Sequence, residues 1–195
     1  MVGSIVLLIV LGCIVLVVMW GIATFNRLVS LRNEVENSWK QIDVQLKRRH
    51  DLIPNLVSVV KGTMEFEQDT LEKVINARAK AISAGNLQEK VTAENMLTQA
   101  LGKLFAVMEN YPQLRSNDNI MQLQEELTST ENRIGFARQF YNDLVAQYRI
   151  KQEVFPNNII VAFLGGFNKE VYFEAEEEAK KAPQADISIR RTSAP

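Results

Sequence analysis

The chain has 195 residues, with 22 Lys and Arg against 23 Asp and Glu and a net charge of −1. Near-neutrality excludes general nucleic-acid binding, which needs a basic face to neutralise phosphates. One cysteine and one histidine support neither a disulfide framework nor a zinc site, and a chain of this length is enough for one core.

Positions 1–26 carry no charged side chain, and the stretch 2–22 (VGSIVLLIVLGCIVLVVMWGI) is almost wholly apolar. As a helix it measures roughly 31 Å, close to the hydrocarbon thickness of a bilayer. A cleaved signal peptide would have a basic leader and a shorter apolar run, although Gly21-Ile22-Ala23 offers small residues for cleavage. Val10-Leu11-Gly12-Cys13 resembles a lipobox, but the apolar run continues through Trp20, where a lipidated chain should turn polar. The expectation is a retained membrane helix. Trp20 and Phe25 bracket its exit as interfacial anchors, and Arg27, Arg32 and Lys40 follow. Basic residues on that side predict Met1 outside and the bulk of the chain in the cytoplasm. The span contains no Gly-x-x-x-Gly pair to specify dimerisation.

Beyond the span, Leu28, Leu31, Val35, Trp39, Ile42 and Leu46 recur at intervals of 3 and 4, marking one face of a first helix. No Gly or Pro lies between Ile22 and Ile53, so this helix continues the span as a rod. Lys47, Arg48 and Arg49 then stand about 33 Å above Phe25, several screening lengths from lipid headgroups. The polar stretch 47–51 followed by Pro54 predicts a turn or kink at 50–53. Arg48, Arg49, His50 and Asp51, with Pro54 and Asn55, form a polar corner there: either a solvated turn or a docking surface for an acidic partner.

A second helix is marked by Ile53, Val57, Val60, Met64, Glu67, Leu71, Val74, Arg78 and Ala81. Glu67 and Arg78 occupy core positions in this repeat. They form a buried polar pair that fixes register, or they lie at the core margin and reach outward. Glu131 and Arg138 on the fourth helix are candidate partners. Ala84-Gly85-Asn86 stops the second helix, and Ala93, Leu97, Ala100, Leu104 and Val107 mark the third. Tyr111-Pro112 ends that one. Residues 116–119 (SNDN) offer caps for a fourth helix marked by Ile120, Leu123, Leu127, Thr130, Ile134, Ala137, Tyr141, Leu144 and Tyr148.

The expected fold is all-α: a single N-terminal transmembrane helix followed by an antiparallel bundle of about four long helices. Residues 1–26 form the anchor, 27–154 the cytoplasmic bundle, 155–182 an apolar then acidic helical segment, and 183–195 a disordered tail. In the third part Phe155, Ile159, Phe163 and Phe167 sit in a dense apolar stretch. It caps the core, forms a subunit interface or touches the membrane, and it is the first candidate for an assembly surface.

Catalytic patterns are missing from the sequence. A bundle di-metal site needs two Glu-x-x-His motifs, yet the residue three before His50 is Lys47. There is no nucleophile elbow, P-loop or dinucleotide fingerprint, and Cys13 lies in the span. The expectation is a non-enzymatic protein without cofactor or metal.

The block Asn37-Ser38-Trp39-Lys40-Gln41-Ile42-Asp43-Val44-Gln45-Leu46-Lys47-Arg48-Arg49-His50-Asp51-Leu52-Ile53-Pro54-Asn55-Leu56-Val57 resembles the signature of the bacterial LemA family. Ala77-Arg78, Glu109-Asn110-Tyr111-Pro112, Thr130-Glu131-Asn132, Ala137-Arg138-Gln139, Tyr141-Asn142-Asp143 and Tyr172-Phe173-Glu174-Ala175-Glu176 extend the resemblance over about residues 25–183. Tyr148-Arg149 and Phe66-Glu67 depart from the family's usual Tyr-Asn and His-Glu. The resemblance implies a single-pass protein of the bacterial inner membrane with a cytoplasmic helical bundle and no defined activity. It also implies partners in envelope proteostasis, including HtpX-type membrane proteases, and kinship with magnetosome membrane proteins. Scaffold or adaptor fits these better than catalyst. The expected partners are the lipid bilayer, further copies of the chain and a membrane protease of the HtpX kind.

Overall fold

The computed structural model describes residues 2–62, 67–167 and 172–173. The chain is all-α, and no strand occurs among the described residues. A helix of 60 residues, α1 (Val2–Lys61), is followed by α2 (Gln68–Ser83), α3 (Leu87–Met108), a single turn α4 (Pro112–Arg115), the 36-residue α5 (Asp118–Glu153) and α6 (Asn157–Leu164). Membrane span and first bundle helix are thus one element about 90 Å long. The anchor–bundle boundary expected at residue 26 falls inside it, with no linker.

The turn expected at 50–53 does not form. Pro54 lies inside α1, which ends only at Lys61, just before Gly62. Proline cannot donate to the carbonyl four residues earlier, which here belongs to His50. Arg78 of α2 supplies the missing donor: its Nε donates to the His50 carbonyl at 2.7 Å. An interior proline is tolerated because a neighbouring helix satisfies the group it orphans.

Antiparallel packing of α1 against α5 forms the backbone of the bundle, and the α2–α3 hairpin lies over its membrane-distal half. Two apolar clusters result. In the distal one, Ile53, Leu56 and Val60 of α1 meet Leu71 and Val74 of α2, Leu97 and Leu104 of α3, and Ile120 and Leu127 of α5. In the proximal one, Leu28, Leu31, Val35, Ile42 and Leu46 of α1 meet Ile134, Tyr141, Val145 and Tyr148 of α5. The apolar spacing of the first and fourth runs therefore faces inward as expected, except that Trp39, Leu123 and Ala137 are only half-buried.

Local signals set the helix ends. Asn86 caps α3 by accepting from the Glu89 N–H at 2.9 Å, while Glu89 accepts from the Gly85 N–H at 3.1 Å. Asn117 caps α5, accepting from Asn119 and Ile120. The 183–195 tail and the acidic run after Phe173 lie outside the described residues, as does Met64.

If Arg78 replaces a helical donor, its value depends on Pro54. Arg78→Met should destabilise the bundle by about 1–3 kcal/mol, the cost of an unsatisfied buried carbonyl. In a Pro54→Ala background, where residue 54 regains its N–H, the loss should shrink markedly. Denaturant unfolding of the four proteins of this cycle measures the coupling, and additive effects would contradict the assignment.

Candidate functional site

Between the two apolar clusters lies a charged layer built on α1. Arg49 is 1% exposed and Glu94 of α3 is fully buried. The Arg49 guanidinium donates through Nη2 to the Glu94 carboxylate and through Nη1 to the Glu131 carboxylate of α5. Nη1 also donates to Thr98 Oγ1 at 2.9 Å. His50 Nε2 lies 2.8 Å from the other Glu94 oxygen. One residue pair on α1 thus ties the rod to both α3 and α5. Burial raises the pKa of the Glu94 carboxyl, but the His50 hydrogen bond and the Arg49 charge outweigh it and hold the group below the usual carboxylate range.

This arrangement corrects the reading of Arg49 and His50 as part of an exposed corner. Because α1 does not break there, helical periodicity carries Leu46, Arg49, His50 and Ile53 onto the inward face. Arg48, Asp51, Pro54 and Asn55 stay exposed. Arg48 lies 3.7 Å from Glu126, and Asp51 accepts from Lys47 at 2.8 Å.

The candidate buried polar residues separate as well. Glu67 is half-buried and accepts from the Tyr111 hydroxyl at 3.4 Å, while Arg78 serves the His50 carbonyl. Glu131 is half-buried and belongs to the Arg49 cluster. Arg138 is half-buried with its guanidinium 4.2 Å from the centre of the Phe173 ring. Burial pushes its pKa below the ordinary arginine value, with Glu131 acting in the opposite direction.

Phe173 is the centre of a second node. Asn142 Nδ2 donates to the Phe173 carbonyl at 2.9 Å, and the Phe173 N–H donates to Asn142 Oδ1 at 2.8 Å. The Phe173 ring lies 6.0 Å from Trp39, which meets Tyr141 edge-on at 5.5 Å. A single asparagine thereby clasps the end of the described chain to α5. Sequence motifs well separated along the chain converge here for a physical reason: an extended backbone needs a donor and an acceptor, and an amide side chain supplies both.

The membrane-side residues form a third group. Trp20 and Phe25 are exposed, and Phe25 meets Phe167 edge-on at 5.7 Å. Arg27 lies 3.7 Å from Glu34, and Arg32 is exposed. Phe155 and Phe163 are exposed, whereas Phe167 is half-buried against the proximal cluster.

Glu94 is absent from the residues that the sequence singles out. Its signal is present in the spacing Glu94, Leu97, Leu101, Leu104, Met108, a 3-4-3-4 run with a charge at its head. Reading Ala93, Leu97, Ala100, Leu104 and Val107 instead rotates the inward face by part of a turn. Chemically, the inner part of the cluster is closed: the Glu94 carboxylate is held by guanidinium and imidazole away from solvent, while Glu131 reaches the cluster from the half-exposed margin. No group of three or more His, Cys, Asp or Glu able to hold a metal occurs among the described residues.

A family model described as the LemA family matches residues 38–187. Magnetosome protein MamQ 2 of Paramagnetospirillum magneticum (strain ATCC 700264 / AMB-1) is 26% identical over 185 residues, covering 82% of this chain and 67% of that protein. Protein LemA of Metamycoplasma hominis is 24% identical over 154 residues, covering 78% and 70%. Magnetosome protein MamQ of Magnetospirillum gryphiswaldense is 23% identical over 185 residues, covering 82% and 67%. Together with the N-terminal apolar stretch of α1, which has the length and composition to cross a membrane, these findings describe a membrane-associated helical protein.

Removing one partner from a buried ion pair leaves the other uncompensated. Glu94→Gln should therefore lower the unfolding free energy by on the order of 3 kcal/mol, and Arg49→Met with Glu94→Leu should recover much of the loss. A depressed folded-state pKa stabilises above the usual carboxylate range, and that stability is lost as pH falls through the folded value. The gap between wild type and Glu94→Gln should hence narrow on acidification, which denaturant melts at neutral and acidic pH will measure.

Proposed function

The chain belongs to the LemA family, and on that premise we propose that it is a non-enzymatic, membrane-anchored scaffold that self-assembles at the cytoplasmic face. The observation that carries this reading is the outer face of α5. Phe136 is 73% exposed and Phe140 half-exposed, one helical turn apart on a helix whose opposite face is committed to α1. Met121 lies exposed nearer the start of α5, with Thr128, Ser129 and Asn132 along the shallow groove between it and Phe136.

Membrane tethering makes a second copy the natural occupant. A rod continuous with the anchor holds every copy upright at one height, so identical faces meet by diffusion in two dimensions. Net charge near zero opposes this only weakly. The basic residues after the span, Arg27, Arg32 and Lys40, favour a cytoplasmic bundle and an outside N-terminus in the inner membrane. With Arg49 and His50 withdrawn into the core, the 155–167 segment and the α5 face remain as contact surfaces, and α5 is the better candidate for self-assembly.

A second reading is an adaptor that docks a membrane protease of the HtpX kind. It is favoured by the exposed remnant of the polar corner, Arg48, Asp51, Pro54 and Asn55. This surface stands well above the membrane on a rigid stalk.

Particle mass in nanodiscs or detergent tests the scaffold. Wild type should form multimers, and Phe136→Asp with Phe140→Asp should yield monomers with an unchanged melting temperature, since exposed substitutions shift stability by only about 0.5 kcal/mol. Monomeric wild type at high concentration would contradict self-assembly. A photo-crosslinker at Arg48 that captured a membrane protease would favour the adaptor.

A further inference from the structure

The C-terminal helix α6 has the sequence NNIIVAFL, eight residues without a charge. It packs against both α5 and α1 and leaves much of its apolar surface uncovered. Phe163 is 88% exposed, Ile159 is exposed, and Val154 and Phe155 just before the helix are exposed too. These four large apolar side chains, close together in the chain, form a patch of the kind that marks a membrane or protein contact.

Its location identifies the partner. Phe167, just beyond the end of α6, packs on Phe25 of α1 with ring centres 5.7 Å apart. Thr24 is buried, so protein covers one side of α1 to within two residues of the end of its apolar run at Ile22. Phe25 lies just past Ile22, about 4.5 Å along the axis. The headgroup layer on each side of the hydrocarbon is roughly 5–8 Å deep. The Phe25–Phe167 contact therefore falls inside that layer, and the exposed patch of α6 lies beside it. An α6 of eight residues is too short to span.

We infer that α6 and the preceding Val154–Phe155 turn form an interfacial wedge seated in the same leaflet from which α1 emerges, with Phe155, Ile159 and Phe163 inserted among lipid. Apolar side chains at the headgroup–acyl boundary without basic residues on the helix make insertion depend on hydrophobic burial and not on anionic lipid. The wedge gives the protein a second membrane contact beside the anchor, which fixes the tilt and rotation of the rod. This requires that residues 2–22 span the membrane. It does not require that copies assemble.

Full-length protein carrying Cys13→Ala and Phe163→Cys, labelled with an environment-sensitive fluorophore, tests the wedge in phosphatidylcholine vesicles at high lipid-to-protein ratio. Labels at Phe25 and Val44 serve as membrane and water references, and Ile159→Cys supplies an independent second site. The label at 163 should show blue-shifted emission, quenched by headgroup-region spin-labelled lipid to the same extent as the label at 25. Adding phosphatidylglycerol should change this little. Water-like, unquenched emission matching position 44 would overturn the inference. So would blue-shifted emission that spin-labelled lipid fails to quench, because a second copy would then be what covers the patch.

Discussion

The His50 carbonyl loses its helical donor to Pro54 and regains one from Arg78. This contact satisfies the carbonyl at the one point where α1 would otherwise read as two helices. A break at 50–53 would separate the anchor from the distal bundle and turn Arg49 toward water. With the carbonyl satisfied, the helix continues to Lys61, and its periodicity alone presents Arg49 and His50 to the interior. The same element then supplies the membrane span, the proximal core and part of the distal core.

A charge in that position calls for partners, since an uncompensated buried ion is far more costly than an apolar side chain. Glu94 and Glu131 come from two different helices, so the guanidinium fork can be satisfied by only one arrangement of α1, α3 and α5. Apolar clusters above and below would tolerate small slips of one helix along another. The ion cluster does not, because a slip by one turn strands a charge. Its contribution is to register more than to net stability. The Asn142–Phe173 clasp does comparable work in the proximal cluster, where α1 and α5 run together, Val91 at the start of α3 joins them, and a short returning segment completes the core.

Much of this is legible in residue spacing. The uncharged stretch 1–26, the 3-and-4 recurrence from Leu28 to Leu46 and that from Ile120 to Tyr148 follow from the helical period and the need to bury one face. What escapes a reading of the sequence depends on tertiary partners. Pro54 reads locally as a break, whereas α1 continues through it with the Arg78 side chain of the next helix donating to the carbonyl it orphans. Glu94 reads as a solvated helix residue until Arg49 is known to face inward. Phe167 and Phe173 belong to an apolar stretch whose role is decided by where the chain returns, and it returns to Phe25 and Trp39.

Membrane attachment and bundle geometry are therefore one problem. A helix unbroken at its exit couples the orientation of the anchor to every surface above it, including the outer face of α5 and the exposed Arg48–Asn55 stretch. Everything above the membrane depends on the continuity of α1. Spin labels at the exposed positions Asn26 and Ser58 of full-length protein in nanodiscs, with Cys13 replaced, measure it directly by pulsed dipolar spectroscopy. An unbroken helix predicts a single narrow distance distribution centred at about 48 Å. A chain that turned back at 50–53 would bring the labels to within roughly 25–30 Å, and such a shortened or a broad distribution would contradict the single-rod geometry.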